Sequence, residues 1–154
     1  MATRCKIGVA DMDGGIRSIY CHWDGYPEHV GKTLLKHYNT PQAREQLIAL
    51  GHLSTLGSKI GEKHPGDWHG SGLTAIKHEE LYGDWCSAYG RDHGEANTQA
   101  THHATGADFA RCEAGEEWIY LWHPLNEQWQ CKEADDVKYQ PVADVLLRRE
   151  REDA

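Results

Sequence analysis

The chain has 154 residues, of which 24 are acidic and 16 basic, for a formal net charge of −8. This length is typical of one domain. The charge is uneven, because residues 1–77 hold 7 acids and 9 bases whereas residues 78–154 hold 17 acids and 7 bases. Such a balance argues against a protein that follows a phosphate backbone, which needs clustered Lys and Arg. An acidic face suits a basic partner surface, or it only contacts solvent.

Aromatic side chains compensate for a shortage of aliphatic ones. Leu, Ile, Val and Phe total only 25, but the chain has 6 Trp and 7 Tyr, and each aromatic buries roughly 150–250 Å². A packed core is therefore expected. No stretch approaches the ~18 apolar residues of a membrane span, and no signal-peptide core is present, so we expect a cytoplasmic protein. The five cysteines are widely spaced without a C-x-x-C pair, which favours free thiols.

The first elements in chain order are the strands of a hairpin. Residues 6–10 and 16–23 favour strand, and the Asp-Gly and Gly-Gly pairs within residues 11–15 are typical of a hairpin turn. Apolar residues lie on both faces of the second strand. This pattern predicts a central strand that is covered on both sides.

Two helices are predicted next. Pro27 stands where a first helical residue would be, and apolar residues follow it at helical spacing. In the second helix Thr40 is the predicted N-cap, Pro41 the first residue and Gly51 the end.

The remaining chain alternates between irregular and regular patterns. Residues 52–106 are rich in Gly and His, and they predict short turns with a short strand near residues 73–76. The later elements are a helix within 105–114, a strand at 118–122, its hairpin mate at 128–132 and a helix that begins near Val142.

This order of elements predicts an α+β domain. Strands that occur in hairpins rather than in β-α-β units imply an antiparallel sheet, built here from two hairpins with helices packed on it. We assign residues 1–147 to one domain and expect residues 148–154 to form a charged, frayed tail.

Eleven histidines invite a search for a catalytic or metal site. His22 and Asp24 share a strand face and could form an oriented imidazole, whereas Cys21 and His22 point to opposite faces. No H-E-x-x-H motif is present. A site for a divalent ion such as Mn or Zn could be assembled only from distant loop residues. These residues are His64, Asp67, His69, Asp92 and His93.

Two further groups of residues are candidate binding surfaces. Glycine-rich charged loops, together with nearby aromatic residues that could stack on a base, form a candidate ligand site: Glu62, Lys63, His64, Trp68, Trp85, Tyr89, Arg91, Asp92 and Glu95. Acidic residues on both sides of the second hairpin form a candidate partner surface, since such a cluster presents phosphate-like charge to a basic groove: Glu116, Glu117, Glu133, Asp135 and Asp136.

The block SIYCHWDGYPE at residues 18–28, followed by Val30-Gly31, Leu34-Leu35 and His37-Tyr38, resembles a group of small bacteriophage and prophage proteins. The resemblance covers about residues 4–132. It implies a phage or mobile-element origin, and no catalytic role can be carried over from it.

We favour a non-enzymatic phage accessory protein that binds a host protein or ribonucleoprotein complex through its acidic half. An inhibitor of a CRISPR–Cas-type defence system is one example. The alternatives are a small-ligand protein that binds a nucleotide signal and, less favoured, a metal-assisted hydrolase. No cofactor is expected, because the sequence contains no complete catalytic motif.

Overall fold

The structure is a computed structural model that describes residues 2–64 and 75–152. In this part of the chain the fold is mixed α+β, and eight strands form one sheet. The strands are β1 (Cys5–Ala10), β2 (Ile16–Cys21), β3 (Leu53–Thr55), β4 (Ser87–Ala88), β5 (Thr101–His103), β6 (Trp118–His123), β7 (Gln128–Glu133) and β8 (Gln140–Pro141).

Helices occupy the connections between the strands and the end of the chain. A π-helical turn at Pro27–Gly31 continues directly into the first α-helix. The α-helices are α1 (Lys32–His37), α2 (Pro41–Leu50), α3 (Ala75–Tyr82), α4 (Tyr89–His93), α5 (Gly106–Phe109) and α6 (Val142–Glu152).

Both predicted hairpins are confirmed, but the prediction of an antiparallel sheet is wrong. The strand order is β4-β3-β2-β1-β6-β7-β8, and β5 pairs with β2. The hairpins β1–β2 and β6–β7 join through a parallel pairing of β1 with β6, and β2 also pairs in parallel with β3. Parallel neighbours need a long crossover connection. The helices and loops between β2 and β6 supply it.

The main core lies between one face of the sheet and the helices α1, α2 and α6. Alternation along β1 places Cys5, Ile7 and Val9 on this face, and all three are buried in one apolar cluster. Leu34 of α1 and Val145 of α6 belong to the same cluster. The hairpin of β1 and β2 is therefore held by apolar contacts to helices that follow it in sequence.

The expectation that aromatic residues complete the core is confirmed. Trp129 is 1 % exposed, and Tyr38 and Tyr120 are also buried. Each polar group has a backbone partner: the Trp129 Nε1–H donates to the Tyr38 carbonyl oxygen at 3.0 Å, and the Tyr120 hydroxyl donates to the Gly25 carbonyl oxygen at 2.7 Å. Large side chains can fill this core because none of these donors loses its hydrogen bond on burial.

The opposite face of the sheet is only partly covered. Phe109 of α5 lies over Gly8 and packs with Ile16, Ile119 and Leu121 in a smaller apolar cluster. A Cβ on Gly8 would lie 2.6 Å from the Phe109 ring, so the missing side chain makes room for the ring. The central position predicted for β2 is confirmed, since β2 pairs with β1 on one side and with β3 and β5 on the other.

The segment between α2 and β6 differs most from prediction. The short strand expected near residues 73–76 is wrong for its described part, because α3 begins at Ala75; residues 73–74 lie outside the described range. The helix expected within 105–114 is shorter and spans Gly106–Phe109. Strands of two or three residues, such as β4 and β5, contain too few residues to show an alternating pattern.

The end of the chain also differs from prediction. Residues 148–152, expected in a frayed tail, are the last turns of α6. Arg149 Nε donates to Glu28 Oε2 at 2.6 Å, and its guanidinium lies 5.3 Å from the centre of the Trp118 ring, so this helix end is attached to the domain. None of the helices in the described residues is both long and apolar enough to cross a membrane.

The predicted end of α2 provides a test of the fold. Gly51 has φ 78° and ψ −160°, a region almost restricted to glycine, and a Cβ there would lie 2.1 Å from the Thr98 carbonyl oxygen. Gly94 also has a positive φ of 69°, but a Cβ there meets nothing within 4 Å. We expect Gly51→Ala to lower the free energy of unfolding by about 3 kcal/mol or more, and Gly94→Ala by about 1 kcal/mol. Urea unfolding measures both, and equal losses would contradict the close packing of Gly51 on residue 98.

Candidate functional site

A cleft of about 630 Å³ opens on the partly covered face of the sheet. Alternation places Lys6 of β1 and Ser18 and Tyr20 of β2 on this face, and all three line the cleft. Its walls come from the segments around residues 95–98 and 108–116. The floor is thus part of a paired sheet, whereas the walls are loops and the short helix α5.

A chain of hydrogen bonds joins a serine, a histidine and an aspartate in this cleft. Ser18 Oγ lies 2.8 Å from His103 Nε2, and His103 Nδ1 lies 2.8 Å from Asp108 Oδ2. The carboxylate can only accept, so Nδ1 carries the proton, and in the neutral ring Nε2 accepts from the serine hydroxyl. His103 is therefore held in one tautomer, with its basic nitrogen toward Ser18.

Three elements position this chain. In the register of β2 with β5, Ile16 is opposite His103 and Ser18 is opposite Thr101, so Ser18 and His103 are diagonal neighbours on one face. Asp108 is in the first turn of α5, where the Thr105 side chain accepts its backbone N–H at 3.1 Å. Hydrogen bonds from His103 and then from Arg111 lower the pKa of Asp108, which keeps it ionised.

Beside these residues, the backbone of β2 is capped by a histidine from the loop after α2. His52 Nδ1 accepts the Tyr20 N–H at 3.0 Å. Burial lowers the pKa of His52, which favours the neutral ring that this bond requires. The short strands β3 and β5 pair with the same edge of β2. His52 supplies the hydrogen-bond acceptor for the part of that edge that lies between them.

Glu116, predicted as part of an acidic surface, is instead a buried structural group. It is only 6 % exposed. Its Oε2 lies 3.5 Å from Lys6 Nζ, and its Oε1 accepts the Ala114 N–H at 2.7 Å. Lys6 also donates to the carbonyl oxygens of Phe109 and Arg111 at 2.9 and 2.6 Å. The Glu116 carboxylate thus balances the charge of Lys6, whose hydrogen bonds join β1 to the end of α5 and the residues that follow it.

The other four predicted surface acids are exposed and close together. Glu133 is opposite Trp118 in the register of β6 and β7, and the Ala134 N–H donates to the Glu117 carbonyl oxygen. Lys132 Nζ donates to the Asp136 carbonyl oxygen at 2.7 Å, which closes the turn after β7. We call these four residues the acidic end: Glu117, Glu133, Asp135 and Asp136.

The two loops of the predicted ligand site do meet, but they bind each other. Asp92 accepts the backbone N–H groups of His64 and Ala88 at 2.9 and 2.7 Å, and it pairs with Arg91. Arg91 Nη1 also donates to the Ile60 carbonyl oxygen at 2.8 Å. In this structure the hydrogen bonds of these side chains close the loops, and the hypothesis that they hold a ligand stays a prediction.

The remaining members of that predicted site are dispersed. Tyr89 and Glu95 line the large cleft, and Glu62 and Lys63 are exposed. Trp68 lies outside the described residues. Trp85, together with His64 and Asp92, lines a second cavity of about 320 Å³.

The proposed imidazole and metal sites do not form within the described residues. His22 Nδ1 lies 2.7 Å from the Tyr20 hydroxyl rather than against Asp24, which has φ 57° in the turn after β2. No group of three or more His, Cys, Asp or Glu in residues 2–64 and 75–152 is arranged to hold a metal ion. Asp67 and His69 of the predicted loop site lie outside these ranges.

No sequence motif joins Ser18, His103 and Asp108. The alternation of the strand predicted at residues 16–23 places Ser18 on the same face as Ile16 and Tyr20. What it could not show is that β5, a three-residue strand far along the chain, lies beside β2. Thr105 as an N-cap before Asp108 was the one local signal for the position of the aspartate.

Comparison with known protein families, with curated proteins and with solved structures found no match to this chain.

The closed loops provide the second test. The Arg91 and Asp92 side chains are 19 % and 1 % exposed. Burial raises the pKa of Asp92, but hydrogen bonds from Arg91, Ala88 and His64 outweigh it, and the net shift is downward. We expect Asp92→Asn to lower the free energy of unfolding by about 3 kcal/mol at pH 7, since the substitution leaves the largely buried Arg91 guanidinium without its carboxylate partner.

The pH dependence follows from the sign of that shift. A lowered pKa stabilises the fold above the pKa of the unfolded chain, about 3.9, and this contribution is lost as the pH falls through the folded value. The free energy of unfolding of the Asp92→Asn variant should therefore fall less than that of the wild type as the pH is lowered through this range. Asp84→Asn is the control, because Asp84 pairs with Lys59 at an exposed site and should cost under about 1 kcal/mol. Equal effects of the two variants in urea unfolding would refute the structural role of Asp92.

Proposed function

We propose that the protein binds a small organic molecule in the large cleft. The observation that carries this proposal is the cleft itself, whose volume of about 630 Å³ is in the usual range for ligand sites. Polar groups from separate elements converge on it, among them Ser18 and His103, and the Tyr20 and Tyr89 side chains also line it. Such a combination fixes the orientation of a ligand while aromatic rings contact its apolar part.

The charge of the lining favours a neutral or positively charged ligand. Lys6 and Arg111 line the cleft, but they pair with Glu116 and Asp108 respectively. Two more carboxylates, those of Glu95 and Glu113, also line it and form no ion pair within the described chain. A phosphate group would meet these carboxylates, so the charge opposes the nucleotide hypothesis and favours uncharged or amine-bearing molecules.

The thermal unfolding midpoint with three classes of probe tests this proposal. The probes are nucleosides, the matching 5′-monophosphates and small aromatic amines. We expect a nucleoside or an amine, not a monophosphate, to raise the midpoint, because a ligand at 100 times its Kd adds about 2.7 kcal/mol to the stability.

A blocking variant and a charge variant sharpen the test. Thr101→Trp fills the floor beside Ser18 and should abolish the shift. Glu95→Gln with Glu113→Gln should let monophosphates bind, because it removes the opposing charges. Failure of all three probe classes, or a shift that survives Thr101→Trp, would exclude the cleft as the site.

A second candidate function is binding of a host macromolecule through the acidic end. Its support is that four carboxylates are exposed together and form no ion pair with other described residues. A basic protein surface, such as the nucleic-acid groove of a host defence complex, has the complementary charge. The resemblance to phage proteins is consistent with such a target.

Charge reversal tests this second candidate. We expect a variant with Lys at all four positions of the acidic end to keep its stability within about 1 kcal/mol, since exposed charges contribute little. Its capture of basic host proteins from lysate should disappear, and wild-type capture should weaken with added salt. Glu116→Gln is the contrast: we expect it to cost about 3 kcal/mol by leaving Lys6 unpaired, without removing the exposed charges. Undiminished capture by the charge-reversed variant would reject an acidic interface.

A further inference from the structure

We propose that Ser18 is a nucleophile, activated by His103 and Asp108, and that the cleft binds small esters whose acyl group Ser18 accepts. This inference rests on the proposed ligand site, because it requires a substrate in the same cleft. It adds an activity to that site.

The geometry meets the first two requirements for an activated serine. The nucleophile must lie within hydrogen-bond reach of a base, and a third group must orient that base. Ser18 Oγ is 2.8 Å from His103 Nε2, and His103 Nδ1 is 2.8 Å from Asp108 Oδ2. Both distances are those of well-formed hydrogen bonds.

Ser18 lies at the floor of the cleft, and the groups that orient it are themselves held by hydrogen bonds. Ser18 is 3 % exposed and lines the cleft, so little water reaches this position. Its neighbour across β1 is Gly8, over which the Phe109 ring lies, whereas Tyr20 and Thr101 line the cleft beside it. Asp108 is oriented in turn by Arg111 Nη2, which donates to its second carboxylate oxygen at 2.6 Å.

The reaction balances with water as the only co-reactant. Ser18 Oγ forms a bond to the ester carbonyl carbon while its proton passes to His103 Nε2. The bond to the leaving oxygen then breaks, and that oxygen takes the proton from His103. Water attacks the acyl-serine by the same proton route, which releases the carboxylic acid and restores the Ser18 hydroxyl. Asp108 accepts the Nδ1–H throughout and stabilises the charged imidazole.

The strand position of Ser18 predicts which electrophiles react. Ser18 is paired on both sides, with Gly8 of β1 and Thr101 of β5, so its peptide group belongs to the sheet. It cannot serve as a backbone oxyanion donor of the kind that many serine hydrolases use. We therefore expect activated electrophiles, such as aryl esters and fluorophosphonates, to react much faster than alkyl esters.

The test is covalent labelling of the full chain with a fluorophosphonate, read by intact mass and peptide mapping. Attack by Ser18 Oγ displaces fluoride, and His103 takes up the proton. We expect one adduct, on Ser18, and none in Ser18→Ala. The chain contains a matched control: Ser87 Oγ lies 3.2 Å from His93 Nε2, but no carboxylate orients that ring among the described residues. Ser87 should stay unlabelled.

A variant of His103 shows whether this residue transfers a proton or only supports the structure. We expect His103→Ala to lower the labelling rate at least 100-fold, and added imidazole to restore part of it, because free base can enter the space left by the ring. A purely structural histidine would show no such rescue. The thermal midpoint of each variant is measured alongside, so that loss of folding is recognised.

The outcomes distinguish this inference from the proposed ligand site. Absent labelling of folded wild-type protein, or equal labelling in Ser18→Ala, overturns the nucleophile while leaving probe binding by the cleft intact. Labelling of Ser18 without imidazole rescue of His103→Ala overturns the role of His103. Loss of probe binding in the thermal assay overturns the ligand site itself, whatever Ser18 does with the fluorophosphonate.

Discussion

The parallel pairing of β1 with β6 is the constraint on which the rest of the structure depends. Each of these strands belongs to a hairpin, and an isolated two-stranded hairpin is marginal in water. Pairing in the register that places Cys5 beside Trp118 and Val9 beside Trp122 joins the hairpins into one sheet. It also aligns the alternation of the two strands, so that one face is apolar along its length and can be covered by helices.

The same register gives the two faces different roles. Residues 5, 7 and 9 of β1 enter the main core, whereas Lys6 and Gly8 point to the other face. That second face is covered around the apolar cluster in which Phe109 lies over Gly8 and packs with Ile119 and Leu121, and the cleft lies beside this cluster. A cation can be tolerated on the floor of the cleft because Glu116 and two carbonyl oxygens surround Lys6. The negative half of the chain is thus not one surface: Glu116 and Asp108 build the cleft, and the acidic end faces solvent.

Features with a local cause could be predicted from sequence, and features that depend on distant pairing could not. The turn at residues 11–15 and the limits of α2 follow from glycine conformations and from the Thr40 side chain, which caps the Ala43 N–H. The parallel contact between β1 and β6 joins residues more than 110 positions apart, and no local signal encodes it. The site shares this limit, since Ser18 and His103 meet only through a three-residue strand that has no periodicity of its own. The candidate ligand site requires the loops at residues 61–64 and 89–95 to converge, and they do so. Composition could not show the hydrogen bonds that join them.

The contrast between the two Ser–His pairs shows what the fold adds to composition. Ser87 of the two-residue strand β4 and His93 at the end of α4 are close in sequence and meet at 3.2 Å, but His93 is exposed and no carboxylate among the described residues orients its ring. Ser18 lies on β2 between β1 and β5, His103 lies on β5 beside it, and α5 supplies the carboxylate that selects one tautomer. Groups on paired strands keep their positions better than groups on loops, and a nucleophile needs its base held to within fractions of an ångström. The chemistry of this chain is therefore to be sought where the sheet, rather than the histidine-rich loops, positions the side chains.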